Sequence, residues 1–276
     1  MGLKDVAIMY DFDGTLARGN IQEYNFIPAL NMTSASFWKE VSKLSKENEM
    51  DTILAYMYLM LKKADLANIS IKKSAFSEYG KNIAFYQGIN TWFDRINEYG
   101  QKLGLKIHHY VISSGIKEMI EGTEIANKFD KIYACSYMYN VDNIAKWPAV
   151  CVNYTNKTQF LFRINKGILD VYDPKVNDYM TEEQRYIHFS NMIYLGDGET
   201  DIPCMKLVKG FGGKSIAVYD NMQRKTVAEK MFKESRINFY SEADYRDGEK
   251  LDKYIKNCID EIAKKVEENS ETKYNI

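Results

Sequence analysis

Three short segments hold the groups able to do chemistry: Asp11-Phe12-Asp13-Gly14-Thr15-Leu16, Ser113-Ser114-Gly115 and Gly196-Asp197-Gly198-Glu199-Thr200-Asp201. Residues i and i+2 of an extended segment point to the same side, so Asp11 and Asp13 can share one pocket. Asp197 brought to that pocket adds a third carboxylate. Like charges packed together raise one another's pKa and destabilise the site. A hard divalent cation relieves the repulsion, and oxygen ligands with few nitrogens or thiols nearby favour Mg²⁺. Mg²⁺ held by a few carboxylates keeps waters and accepts a substrate phosphate oxygen, so a phosphate monoester fits the charge pattern. Ser113 supplies a hydroxyl. Ser114 and Gly115 supply backbone N–H groups at what the pattern reads as a helix N-terminus, a setting that binds anions.

A cation completes this set. Lys157, in Asn153-Tyr154-Thr155-Asn156-Lys157-Thr158, stands at the start of a helical pattern, where the macrodipole disfavours a positive charge unless it faces an anion. Lys166, in Asn165-Lys166-Gly167, is the alternative phosphate lysine. It falls near the end of the same pattern, where an exposed cation is favoured, so Lys157 is preferred.

The elements that must position these groups follow from hydrophobic patterning. Residues 6–10 form a continuous apolar run that stops at Asp11, as suits a strand buried on both faces of a parallel sheet. Comparable runs recur at 107–112, 191–195 and 215–219, with a weaker one at 131–134. Helical patterns between them predict repeated βα units, an α/β fold with helices covering a parallel sheet. Ligands in such sheets bind at the carboxyl ends of the strands, which is where the three segments fall.

From Asp11 to residue 112 is 101 positions, where a simple crossover needs about 30. The surplus is helical in pattern. Residues 51–61 carry an apolar stripe after an acidic start, with Met57 and Met60 as packing residues, and 71–87 continue it with Ile71, Ala75, Phe76, Tyr79, Ile83 and Phe85. Residues 17–88 therefore read as a helical insertion, with 1–16 and 89–276 forming the core. A helix over 91–103 feeds the second strand, with Thr91 and Asp94 resembling a capping box. Pro148 argues against a central strand in the aromatic piece at 134–155 and predicts a flap or an edge hairpin. A last helix from Leu251 to Val266 has one apolar face, and the final ten residues read as frayed.

Composition excludes several classes. The chain has 276 residues, 45% hydrophobic and 27% charged, enough to bury a core and inconsistent with wholesale disorder. With 37 Lys+Arg against 38 Asp+Glu, it lacks the broad basic surface expected of a nucleic-acid or anionic-membrane binder. No stretch nears the ~18 apolar residues of a membrane span, and the first residues lack the apolar core of a secretory signal. Four scattered cysteines form no CxxC spacing, so a cytoplasmic location is expected. With three histidines, two of them adjacent on a strand, catalysis is expected to rest on carboxylates.

DFDGTL after an apolar strand, a strand-end Ser113, an isolated Lys157 and GDGETD, in that order, resemble the four motifs of the haloacid dehalogenase superfamily. The resemblance spans Asp11 to Asp201 and implies a three-layer α/β/α Rossmann-type fold. The insertion resembles the helical cap of the phosphoserine-phosphatase-like subgroup. It implies a Mg²⁺-dependent phosphatase acting on a small phosphorylated metabolite. Asp11 would be the nucleophile that becomes an aspartyl-phosphate, and Asp13 the acid/base. Asp11, the main-chain carbonyl of Asp13 and Asp197 would hold Mg²⁺, with Asp201 in support. Ser113, Ser114 and Lys157 would bind phosphoryl oxygens. Arg18 and Glu23, where the chain passes into the cap, are candidates to touch the leaving group. A phosphomutase or phosphotransferase, or a non-catalytic ligand-binding protein of the same fold, are the alternatives.

Overall fold

Each apolar run becomes a strand buried from both sides. In the computed structural model, which describes residues 3–274, the strands are β1 (Lys4–Tyr10), β2 (Leu105–Ile116), β3 (Lys131–Tyr139), β4 (Ala145–Val150), β5 (Met192–Gly196), β6 (Lys214–Tyr219) and β7 (Phe239–Glu242). They form one sheet in the order β4-β3-β2-β1-β5-β6-β7. Central β1 runs parallel to both neighbours, with Tyr10 level with Val111 of β2 and Leu195 of β5. Asp11 therefore leaves the sheet between the ends of β2 and β5. This register brings the three chemically loaded segments to one edge.

Two strands outrun their apolar cores. Pairing with β3 carries β2 through Ser113, Ser114 and Gly115 as far as Ile116, opposite Cys135. The amides of Ser114 and Gly115 thus belong to extended chain, not to a helix N-terminus, because the helix that follows, Lys117–Glu121, begins only there. β3 in turn continues to Tyr139 and folds back antiparallel onto β4, which holds Pro148 opposite Tyr137. β4 is at the sheet edge, where a proline costs no ladder bond on its outer side. The expected edge hairpin is formed.

Between β1 and β2 lie α1 (Phe26–Ala29), α2 (Ser34–Glu47), α3 (Thr52–Leu66) and α4 (Lys73–Tyr79). Thr33 caps α2 by accepting from Ser36 N, and Asp51 caps α3 by accepting from Ile53 N and Leu54 N. Phe37 and Val41 of α2 and Met57 and Met60 of α3 are fully buried. The helical pattern over 71–87 is realised only in α4. The chain is extended where Phe85 bridges Ala17, and Tyr86 N donates to Leu16 O at 3.1 Å. The chain at 16–17 and at 85–86 is thereby zipped together.

The remaining helices are α5 (Ile89–Lys102), α6 (Lys117–Glu121), α7 (Thr158–Lys166), α8 (Ile202–Gly210), α9 (Met222–Lys233) and α10 (Lys250–Tyr274). α5 starts two residues before Thr91. Gly88, at φ +86°, turns the chain into it, and a Cβ there would come within 2.3 Å of Arg246 N. The capping box expected of Thr91 and Asp94 does not form: Thr91 Oγ1 donates to Gly88 O, and Asp94 accepts from Lys128 Nζ at 2.8 Å. α5 and α10 touch each other, as do α7 and α8, and right-handed crossovers put the two pairs on opposite faces of the sheet. The apolar face of α10 is buried through Leu251, Ile255, Ile259 and Ile262. Its backbone stays helical to Tyr274, past the point where the sequence predicts fraying; the side chains of the last residues and residues 275–276 lie outside the described set.

His108 and His109 are strand residues with opposite environments. His109 is buried between the Tyr10 hydroxyl and Asn97 Oδ1, each at 3.0 Å. Trp92 Nε1 donates to the Tyr10 hydroxyl oxygen, so that hydroxyl donates to Nδ1 and Nε2–H donates to Asn97, an arrangement that needs the neutral ring. Burial pushes its pKa down to about 3. His108 bridges Asp5 and Asp130, each at 2.8 Å, and these bonds hold its pKa above normal although burial opposes them. The unfolded chain binds a proton at position 109 below pH about 6.5 and the native chain does not until about 3, so this stability is lost as pH falls. The His108 contribution has the reverse sign: it is complete below about 6.5 and fades as pH rises. Melting followed from pH 7 to 4 should therefore show a loss on the order of 1 kcal/mol per pH unit from His109, and His109→Gln should flatten that slope. Parallel curves for the two proteins would refute the assignment.

Candidate active site

At the carboxyl edge of the sheet, Asp11, Asp197 and Asp201 each offer a carboxylate oxygen within 4.8 Å of the others. Asp11 follows β1. Its Oδ1 accepts from Phe12 N at 2.7 Å, and its Oδ2 lies 3.2 Å from Lys157 Nζ. Asp201 is fully buried: Oδ1 accepts from Lys157 Nζ and from the Tyr194 hydroxyl, both at 2.8 Å, and Oδ2 faces Gly198 N at 3.3 Å. Lys157, on a turn (Tyr154–Lys157) just before α7, is itself 0% exposed. Its ammonium therefore bridges two carboxylates out of reach of water. Lys166 at the other end of α7 donates to the carbonyls of Val176 and Asp178, away from this cluster.

Burial and then the charge of Asp201 push the pKa of Asp11 up to about 6, with Lys157 opposing. Burial and the charges of Asp11 and Asp201 hold Asp197 well above the carboxylate range. Asp13 turns towards the insertion and accepts from Ile21 N at 2.9 Å. Burial and then Asp11 drive it up to about 8. At neutral pH Asp13 therefore keeps its proton while Asp11 two residues away is ionised, a separation that lets two carboxyl groups take different roles.

Ser113 is fully buried, and its Oγ accepts from Gly115 N at 3.0 Å. A Cβ on Gly115 would meet Asp13 Oδ2 at 2.9 Å and Ser113 Oγ at 3.3 Å, so these two groups converge on one point. Ser114, on the opposite face of the strand, is tied to the insertion through its carbonyl, which accepts from Tyr56 OH. Its own hydroxyl is buried without a partner. Glu23 accepts from Trp38 Nε1 at 2.6 Å and adds to the field that raises Asp13. Arg18 lies apart, stacked over Tyr86 at the rim of a cavity of about 250 Å³.

Sequence reasoning missed Arg224. Its Nη1 sits 3.1 Å from Asp197 Oδ2 and 3.6 Å from Asp220 Oδ1, as ion pairs whose angles make no hydrogen bond. The signal was there: Asp220 and Asn221 follow β6 as directly as Asp11 follows β1, and Asn221 caps α9 by accepting from Arg224 N. A cavity of about 410 Å³ opens here, lined by Asp197, Glu199, Asn221 and Arg224 among others.

Gly14 closes the site from below. It sits at φ +73°, and a Cβ would come within 2.3 Å of Asp197 Oδ2 and 2.6 Å of Arg224. Gly14→Ala combines a left-handed backbone with a clash, so it should destabilise the fold by roughly 1–3 kcal/mol and displace Asp197. A melting curve and a divalent-cation titration of the variant check both effects. A variant that melts and binds metal like the parent would contradict this packing.

The donors suit a hard divalent cation. Asp11, Asp197 and Asp201 present oxygens only, and burial and then mutual repulsion raise the pKa values of Asp11 and Asp197. Lys157 and Arg224 are the cations at hand, and Arg224 is shared with Asp220. A divalent cation among the carboxylates would remove the remaining repulsion.

Residues 8–206 match the profile of the haloacid dehalogenase-like hydrolases. An uncharacterised protein of Borreliella burgdorferi is 30% identical over 279 aligned positions, covering 91% of this chain and 95% of its own length. Among solved structures, a haloacid dehalogenase family hydrolase of Salmonella enterica serovar Typhi superposes with a TM-score of 0.58 at 15% identity, covering 91% of this chain and 73% of the other. An apo phosphoserine phosphatase superposes with a TM-score of 0.57 at 15% identity, covering 88% and 97%. Among the described residues no helix is long and apolar enough to cross a membrane.

Proposed function

Because this chain belongs to the haloacid dehalogenase-like hydrolase family, we propose that it is a Mg²⁺-dependent phosphatase of a small phosphorylated metabolite, working through an aspartyl-phosphate. The observation that carries the reading is the convergence of Asp11 and Asp13 at one strand end, Asp11 Oδ2 3.2 Å from Lys157 Nζ and Asp13 Oδ2 beside Ser113 Oγ at Gly115.

An Asp11 carboxylate oxygen attacks phosphorus in line. Its other contacts, the Phe12 amide and the Lys157 ammonium, keep the carboxylate oriented. The P–O bond to the leaving alcohol breaks, and the Asp13 proton moves to that oxygen. Asp13, now a carboxylate, takes a proton from a water that attacks the phosphoryl group. The Asp11 oxygen departs and phosphate is released, so one hard displacement becomes two easier ones. The Ser113 hydroxyl and Lys157 stabilise charge on the phosphoryl oxygens. Asp11, the Asp13 carbonyl, Asp197 and Asp201 are the residues that would hold Mg²⁺, whose chemistry here is to neutralise developing phosphoryl charge.

Residues 17–88 serve as a cap in this reading, supported by the zipped strands at 16–17 and 85–86 and by the Tyr56 bond to Ser114. A cap closing on the site excludes water and selects small substrates. Four free thiols fit a cytoplasmic enzyme.

The test is phosphate release from p-nitrophenyl phosphate and from a panel of phosphorylated metabolites. Turnover should need added Mg²⁺ and stop with EDTA. An isomerised sugar phosphate without free phosphate would identify a mutase. No turnover on any ester with Mg²⁺ present would leave a binding protein and end this proposal.

A further inference from the structure

The β3–β4 hairpin sets two thiols against each other. Ser136 pairs with Val150, so the register puts Cys135 opposite Cys151 with both side chains on one face. Cα atoms in such pairs are about 4.5–5.5 Å apart, inside the range of about 4.4–6.8 Å that disulfides use. Val152 N donates to Cys135 Sγ at 3.2 Å, and Cys151 Sγ lies 3.7 Å from Asp51 Oδ1. Cys151 is half-exposed while Cys135 is buried, and Cys204 and Cys258 are buried in α8 and α10.

We propose that Cys135 and Cys151 form an oxidisable dithiol, which a peroxide closes to an intrachain disulfide. The half-exposed Cys151 sulfur takes an oxygen from the peroxide: an S–O bond forms, the O–O bond breaks, and water or an alcohol leaves. The Cys135 thiolate then attacks the resulting sulfenic sulfur. The S–S bond forms, the S–O bond breaks, and the hydroxide departs as water with the proton that Cys135 gave up. The two sulfurs lose two electrons, which reduce the peroxide. Cys151 is the sulfur a peroxide can reach but is the more strongly protonated of the two, held above its ordinary range by Cys135, burial and Asp51. At Cys135 burial is outweighed, so Cys135 supplies the thiolate of the second step.

The bridge reaches two elements of the site. The Cys151 thiol now lies 3.7 Å from Asp51 Oδ1, the cap of α3, and the Cys151 carbonyl accepts from Asn156 Nδ2 at 3.0 Å in the turn that carries Lys157. Closing the disulfide takes the thiol off Asp51 and pins the base of that turn to the strand beside Ser113.

The experiment treats the folded full chain with hydrogen peroxide, alkylates the remaining thiols and maps peptides by mass spectrometry. The expected result is a Cys135–Cys151 peptide pair, a monomer lighter by two hydrogens, and full reversal by dithiothreitol. Cys258→Ser should still close the bridge, and Cys151→Ser should not. Oxidation of Cys151 to sulfinic acid without a cross-link, bridges only between chains, or two unmodified thiols after peroxide would each overturn the proposal.

Discussion

Replacing Asp11 with asparagine should cut phosphate release by on the order of 10⁴-fold or more, the scale reached when a covalent mechanism loses its nucleophile. The carboxamide keeps the shape of the side chain and can still accept from the Phe12 amide, so the strand end stays in place. It cannot form the acyl phosphate. Lys157 retains Asp201 at 2.8 Å as a partner, so its ammonium is not orphaned. Asp197 loses one of the charges that raise its pKa. The substitution should therefore leave the melting temperature equal or higher while abolishing turnover. Steady-state rates beside a melting curve separate this outcome from simple misfolding. A variant within tenfold of the parent rate would show that Asp11 is not the attacking group.

The site was legible because strand ends announce it. Three apolar runs stop at or one residue short of Asp11, Ser113 and Asp197, and in a parallel sheet those stops share one edge, so the three residues could be placed together from the sequence. Lys157 was readable as a charge in the wrong place for a helix start. Its full burial between Asp11 and Asp201 was not, since burial depends on how α7 and α8 pack. Arg224 escaped because it reaches back from the first turn of α9, and its partner Asp197 is 27 positions earlier in the chain. Local misreadings had one cause: tertiary pairing overrode local pattern. β2 ran on through Ser114 because β3 offered it a partner. α4 stopped at Tyr79, where Gly80 lies against α6: a Cβ there would come within 1.8 Å of Met119 O. Gly88 moved the start of α5 because Tyr245 and Arg246 fill the space a side chain would need.

Lys157 should show the second large effect, on stability and on rate together. Its ammonium is held 2.8 Å from Asp201 and 3.2 Å from Asp11, with no exposed surface. Lys157→Met fills similar volume but leaves two buried carboxylates facing each other. Removing one partner from a buried ion pair costs roughly 3–5 kcal/mol, and the loss of a preorganised charge on the phosphoryl oxygens should lower turnover by about 10²–10³-fold. A companion change distinguishes the two losses. Adding Asp201→Asn removes one of the stranded charges, so the double variant should regain part of the stability in chemical denaturation. It should regain none of the rate, because neither protein has the Lys157 ammonium to face the phosphoryl group. Lys166→Met is the control: its ammonium serves the carbonyls of Val176 and Asp178, so turnover should stay at the parent level. If Lys157→Met instead turns over within a few-fold of the parent, the phosphoryl charge is carried by another cation. Arg224, 3.1 Å from Asp197, would then be the next to replace.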